Sequence, residues 1–127
     1  MKISEMVFEF LKDQGLCPKY DDDGDIFFKY QMAGFVYIVD DDDELFFRLA
    51  MPNIFEVTDD NRMMVLEAIN KVNVDVKVVK AICTPVDNVW LTTEMLMDTT
   101  PNLEDFFQRN LHILLGARVR FTEAISE

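Results

Sequence analysis

The side chains best suited to chemistry in this 127-residue chain are carboxylates gathered in two short runs. Asp21, Asp22, Asp23 and Asp25 surround Gly24, and Asp40 to Asp43 lead into Glu44. Oxygen-rich runs of this kind attract hard divalent cations, yet the calcium-loop template does not fit. With Gly24 at its sixth position, Lys19 falls at the first and Tyr30 at the twelfth. Solvated turns that keep a sheet edge soluble are the simpler reading. A pair of acids acting as hydrolase groups would need an enclosed cleft that pushes their proton affinities apart, and these lie in turn segments. His112 is the single histidine; it falls between the core positions Leu111 and Leu114, and no triad can be built around it by spacing. Cys17 and Cys83 lack Cys-x-x-Cys spacing and a histidine cluster, so they read as buried free thiols. The glycines at 15, 24, 34 and 116 are isolated, so none builds a phosphate cradle. The sequence therefore predicts no enzyme, no cofactor and no metal site.

The elements that carry these residues follow from periodicity. Ile3, Met6, Val7, Phe10 and Leu11 form one stripe of an amphipathic helix that Gly15 closes. From Ile26 to Met51 the pattern changes to runs of Phe, Tyr, Val, Ile and Leu, broken by Gln31 to Gly34 and by Asp40 to Glu44. It reads as a three-stranded meander ended by Pro52. Asp59 or Thr58 can cap a second helix with Met63, Leu66, Ile69 and Val72 on its inner face, reaching a boundary at Asn70 to Asn73. Val76 to Thr84 and Val89 to Met97 are β-branched and form a hairpin across Pro85 to Asn88. Thr100 and Pro101 open a long third helix, with Leu103, Phe107, Leu111, Leu114, Phe121 and Ile125 as its stripe. Gly116 inside it implies either a close backbone approach or a locally weak helix, and the segment beyond it is expected to be held less firmly. The order α-β-β-β-α-β-β-α predicts a single α+β domain over residues 1–127, a mostly antiparallel sheet with helices packed mainly on one face.

Composition narrows the partners. A formal charge of −12 and a pI near 4.3 oppose binding to nucleic acid or anionic lipid. The apolar stretches are short of the about 18 residues a membrane span requires, and Met1 to Glu9 lacks a signal-type apolar run, so a cytoplasmic location is expected.

Certain boundary residues carry a family likeness. Asp23 to Phe28 lead into the first strand, Leu49-Ala50-Met51-Pro52-Asn53 follows the third, Glu67 to Asn73 precedes Lys77 to Lys80, and Asn88-Val89-Trp90-Leu91 opens the last strand. With the element order, these residues make the chain resemble the YbjN domain family over nearly its whole length. The family looks like the type III secretion chaperone fold. The resemblance implies a small bacterial protein with a regulatory role, and chaperones of that fold imply acidic dimers that hold partly unfolded client segments. It brings no catalytic residues to transfer.

Strand alternation gives the strongest functional signal. Ile26, Phe28 and Tyr30, then Leu45, Phe47 and Leu49, then Val89, Leu91 and Met95 define an apolar face that packs under the helices. The opposite face combines Phe27, Phe46 and Trp90 with Lys29 and Arg48. Three uses compete for it: a self-association or client surface, a second small core covered by the third helix or by loops, and base stacking. Aromatic-plus-Arg composition favours the first, and the net charge opposes the last. The fourth strand has no clear inner face, because Lys77 and Lys80 have opposite parity. The sequence thus points to a non-catalytic protein-interaction module, chaperone-like or regulatory, with Phe27, Lys29, Phe46, Arg48 and Trp90 as partner-binding residues. The partner is another protein or a second copy in a homodimer. The alternative is a small enzyme or metal-dependent ligand binder built on the acidic loops.

Overall fold

The computed structural model describes residues 1–127. Helix α1 spans Ile3–Asp13 and buries Ile3, Val7 and Leu11. It ends as its sequence predicts, with Gly15 at φ +77 and the Leu16 N–H donating to the Leu11 carbonyl. A two-residue strand β1, Lys19–Tyr20, then pairs with β2, Ile26–Tyr30. The chain therefore has six strands rather than five. So short a strand carries no periodicity, and it forms because the Asp21 carboxylate accepts the N–H groups of Asp23 and Asp25, each at 2.9 Å, folding the chain back on itself. Tyr20 also stacks on Phe8 of α1 at 4.7 Å.

Strand β3, Ala33–Tyr37, closes a tight hairpin with β2, and β4 runs Phe46–Glu56. Pro52 does not end β4. Pairing with β3 stops at Ala50, so no ladder bond requires the missing Pro52 N–H, and a register shift between Met51 and Phe55 with Asn53 at φ +54 absorbs the irregularity. Helix α2 spans Arg62–Asp75, passing the boundary expected at Asn70 to Asn73. Asn61, not Asp59 or Thr58, stands at its N-cap; Thr58 N–H donates to Asn61 Oδ1 at 2.7 Å. Its buried residues are Val65, Ala68, Ile69 and Val72, while Met63 and Leu66 face outward.

Strand β5, Val79–Cys83, begins later than Val76 because α2 runs to Asp75 and residues 76–78 form the turn out of it, with Val78 at φ +68; β6 is Asn88–Leu96. The register puts Val79, Ala81 and Cys83 on the inner face and Lys80 and Ile82 on the outer, which settles the parity of this strand. Helix α3, Leu103–Ile125, starts after Thr100, whose N–H donates to Asp98 Oδ1, with Asn102 at the N-cap. It runs unbroken through Gly116. A Cβ there would meet nothing within 4 Å, so no close approach explains this glycine.

The end of α3 has more anchors than its sequence shows. Ala117, Phe121 and Ala124 are buried, Arg120 binds Asp75 at 2.9 Å and Glu127 at 3.0 Å, and Lys71 binds Glu127 at 2.8 Å. Phe121 packs edge-on against Phe55 of β4. Neither cysteine is fully buried: Cys17 is exposed at φ +49, and Cys83 is half-buried.

The strands form one antiparallel sheet in the order β1-β2-β3-β4-β6-β5. The three helices share one face of it. Phe107 of α3 is the hub, its ring 5.2 Å from Phe10, 6.1 Å from Phe28 and 5.5 Å from Phe47. Truncating so buried an aromatic to alanine typically costs about 3–5 kcal/mol. The result is a single α+β domain with an open second sheet face.

Candidate functional site

Register fixes what lies on that open face. Phe27 stands beside Val36, Val36 beside Ala50, and Ala50 beside Thr92, which faces Lys80. One step along the strands, Arg48 is opposite Glu94, and beyond it Phe46 is opposite Leu96. All five residues singled out by alternation, Phe27, Lys29, Phe46, Arg48 and Trp90, therefore share one face. The helices do not cover it, since the rings of α3 pack against Phe28 and Phe47 on the other side. This removes the third helix as a cover for the face, and strand parity explains why: the larger apolar side chains alternate inward, so the helices follow them.

The five do not form one cluster. Phe27 and Trp90 are three strand spacings across and two residues along the sheet from each other, about 16 Å. Phe27 lies over Gly34, where an added Cβ would sit 3.3 Å from its ring, so this aromatic covers a glycine on the neighbouring strand. Trp90 donates its indole N–H to Asn53 Oδ1 at 3.0 Å and so steadies the β4 irregularity. Arg48 is not a free cation: Glu94 lies 3.8 Å from it and also holds Lys80 at 2.9 Å. Lys29 is exposed and joins no ion pair. Sequence reasoning missed Val36, Ile38, Ile82 and Leu96, which add half-exposed or exposed apolar surface to the same face. Leu96, 82% exposed beside Phe46, is the most accessible of them. Extending the alternation of Trp90 and Glu94 by one more step would have found it.

The acidic segments meet at one end of the sheet, as the meander implies. Asp25 Oδ1 accepts the Val39 N–H at 2.9 Å, joining the two turns. Asp40 Oδ1 accepts from Asp42 and Asp43, repeating the role Asp21 has in the first turn. Asp21, Asp23 and Asp25 bring oxygens within 4.8 Å of one another. Burial pushes the Asp25 carboxyl above its ordinary value, with Asp21 and Asp23 adding in the same direction. Asp21, Asp25 and Asp40 each use one carboxylate oxygen to hold backbone amides of these turns. Nearby Tyr37 is buried and beside Glu44, its phenol pushed up to about 12, so it stays protonated at neutral pH.

His112 faces Tyr30, with 2.9 Å between Nε2 and the phenol oxygen, and Gln108 donates to the same oxygen at 3.3 Å. The three tie α3 to β2 at the surface without bringing a nucleophile to the imidazole. No helix is long and apolar enough to cross a membrane.

Comparisons with known proteins agree with this architecture. Residues 4–125 match the YbjN family, described as "Putative bacterial sensory transduction regulator". The crystal structure of YbjN from E. coli, named there a putative transcription regulator, superposes with a TM-score of 0.72 at 12% identity, covering 96% of this chain and 90% of that one. An uncharacterized protein from Methanothermobacter thermautotrophicus superposes with a TM-score of 0.66 at 16% identity, covering 97% and 96%. No curated protein matches the sequence significantly. At these identities the two structural likenesses speak to the fold.

Proposed function

Because this chain belongs to the YbjN family, whose description is regulatory, we propose that it is a non-catalytic, cytoplasmic protein-interaction module. It holds a segment of a partner protein, or a second copy of itself, over the open sheet face, in a chaperone-like or regulatory role. One observation carries this reading: three helices crowd one face of a six-stranded sheet and leave the other to solvent with Phe27, Phe46, Trp90 and Leu96 on it. An uncovered aromatic sheet face on a small domain is a usual mark of an interaction surface. The ionisable groups support the absence of catalysis, since the acidic turns hold backbone amides and His112 holds Tyr30.

Phe46 and Trp90 are the expected anchors, with Arg48 and Glu94 as the polar contacts between them. The test is affinity capture from native cells with the parent chain and with Phe46→Ala as paired baits. A specific partner that the parent retains and Phe46→Ala loses, at unchanged fold by circular dichroism, is the expected result. Equal retention by both baits would contradict the assignment of this face.

A further inference from the structure

A sheet open on one face also has two edges, and they are treated differently here. On β5 the outward backbone groups of Ala81 are closed by the Asn73 side chain of α2: Ala81 N–H donates to Oδ1 at 2.8 Å, and Nδ2 donates to the Ala81 carbonyl at 3.1 Å. One amide side chain thus takes the place of a neighbouring strand and blunts that edge.

The other edge is left open at one place. Asp21 and Asp25 are hydrogen-bonded across the first turn, so alternation points the N–H and C=O of Phe27 and Lys29 towards β1. Phe27 has Lys19 opposite it. Continuing the register would put Cys17 opposite Lys29, but Cys17 lies outside the strand at φ +49. Lys29 therefore presents an N–H and a C=O with no partner strand. A groove of about 290 Å³ runs beside it, lined by Leu16, Cys17, Lys19, Phe27, Phe28 and Lys29. In a chain with 24 carboxylates, none lines this groove, and neither lysine joins an ion pair. On the far side of Phe27 a second groove, equally free of carboxylates, carries the unpaired Arg118.

We infer that the one position of β2 unpaired on its outer edge, Lys29, is a strand-addition site for an extended acidic polypeptide segment. Its backbone pairs with Lys29, and its carboxylates meet Lys19 and Lys29. The inference rests on the interaction reading above and deepens it by fixing the partner's chemistry and one backbone contact.

The probe is a fluorescein-labelled heptapeptide of alternating Asp and Val, read by anisotropy against the same peptide with Lys for Asp. The acidic peptide should bind at least about tenfold more tightly than the basic one, and Lys29→Glu should weaken it by at least about tenfold. Lys29→Pro should abolish binding, because it removes the outward N–H while the β2–β3 ladder does not use that group. Should that variant fail to fold, the parent's Lys29 amide gives the same information: its exchange should be fast in the free chain and slow at peptide saturation. Equal or stronger binding of the basic peptide, no binding of either, or an unprotected Lys29 amide at saturation would overturn the inference. Acidic-peptide binding that leaves this amide unprotected and is lost in Leu96→Glu would overturn it too, while keeping the partner on the open face.

Discussion

Met32 stands at the tip of the β2–β3 hairpin, 99% exposed, with φ at +66, and Gln31 beside it has φ at +49. Two consecutive left-handed residues make this a type I′ turn, which Asn-Gly fills without strain. Each side chain with a Cβ in that conformation costs about 1–2 kcal/mol. Met32→Gly should therefore raise the urea unfolding midpoint, by an amount equivalent to about 1 kcal/mol. A lowered midpoint would mean that the methionine makes compensating contacts. Asp25 offers a second test. Its native value is raised above 3.8, so between those two values the folded chain binds more protons than the unfolded one. Its contribution to stability accordingly falls as pH rises through that window, and the ionised group is a liability at pH 7. Asp25→Asn keeps an acceptor for the Val39 N–H and should leave the midpoint at pH 7 equal or higher, with a flatter acid-side slope. A lower midpoint at pH 7 would show that the carboxylate's bond from the Val39 N–H, helped by attraction to Arg48, dominates.

At the scale of elements, Gly116 gives the plainest prediction. It lies mid-helix with nothing near the position of an added Cβ, so Gly116→Ala should stabilise the fold by about 1 kcal/mol, read as a higher urea midpoint. No gain would point to a packing role. The sequence shows the helices and longer strands through their periodicity, down to the alternation that puts Phe27, Phe46, Arg48 and Trp90 on one face. It does not show what long-range contacts decide. Lys19–Tyr20 becomes a strand only because Asp21 folds it onto β2. Pro52 stays inside β4 only because β3 has already stopped pairing. Arg48 reads as a free cation until register brings Glu94 across from it. The end of α3 reads as loose because Arg118 and Arg120 lower its apolar content, yet Arg120 finds Asp75 on another helix.

For the whole molecule, the account turns on whether the uncovered sheet face exists to be covered by a partner. With −12 net charge, two copies or an acidic partner repel at long range, so binding must come from short-range contact on this face. Trp90 and Phe27 are imperfect probes, since one steadies Asn53 and the other covers Gly34. Leu96 is the better probe: it is 82% exposed at the end of β6, beside Phe46, and the folded chain asks little of it. The decisive measurement is the association constant of Leu96→Glu for the captured partner, or for itself, set beside its urea midpoint. The account predicts a midpoint within about 0.5 kcal/mol of the parent and association weakened by at least about tenfold. Unchanged association at an unchanged midpoint would contradict it and leave the open face without a function.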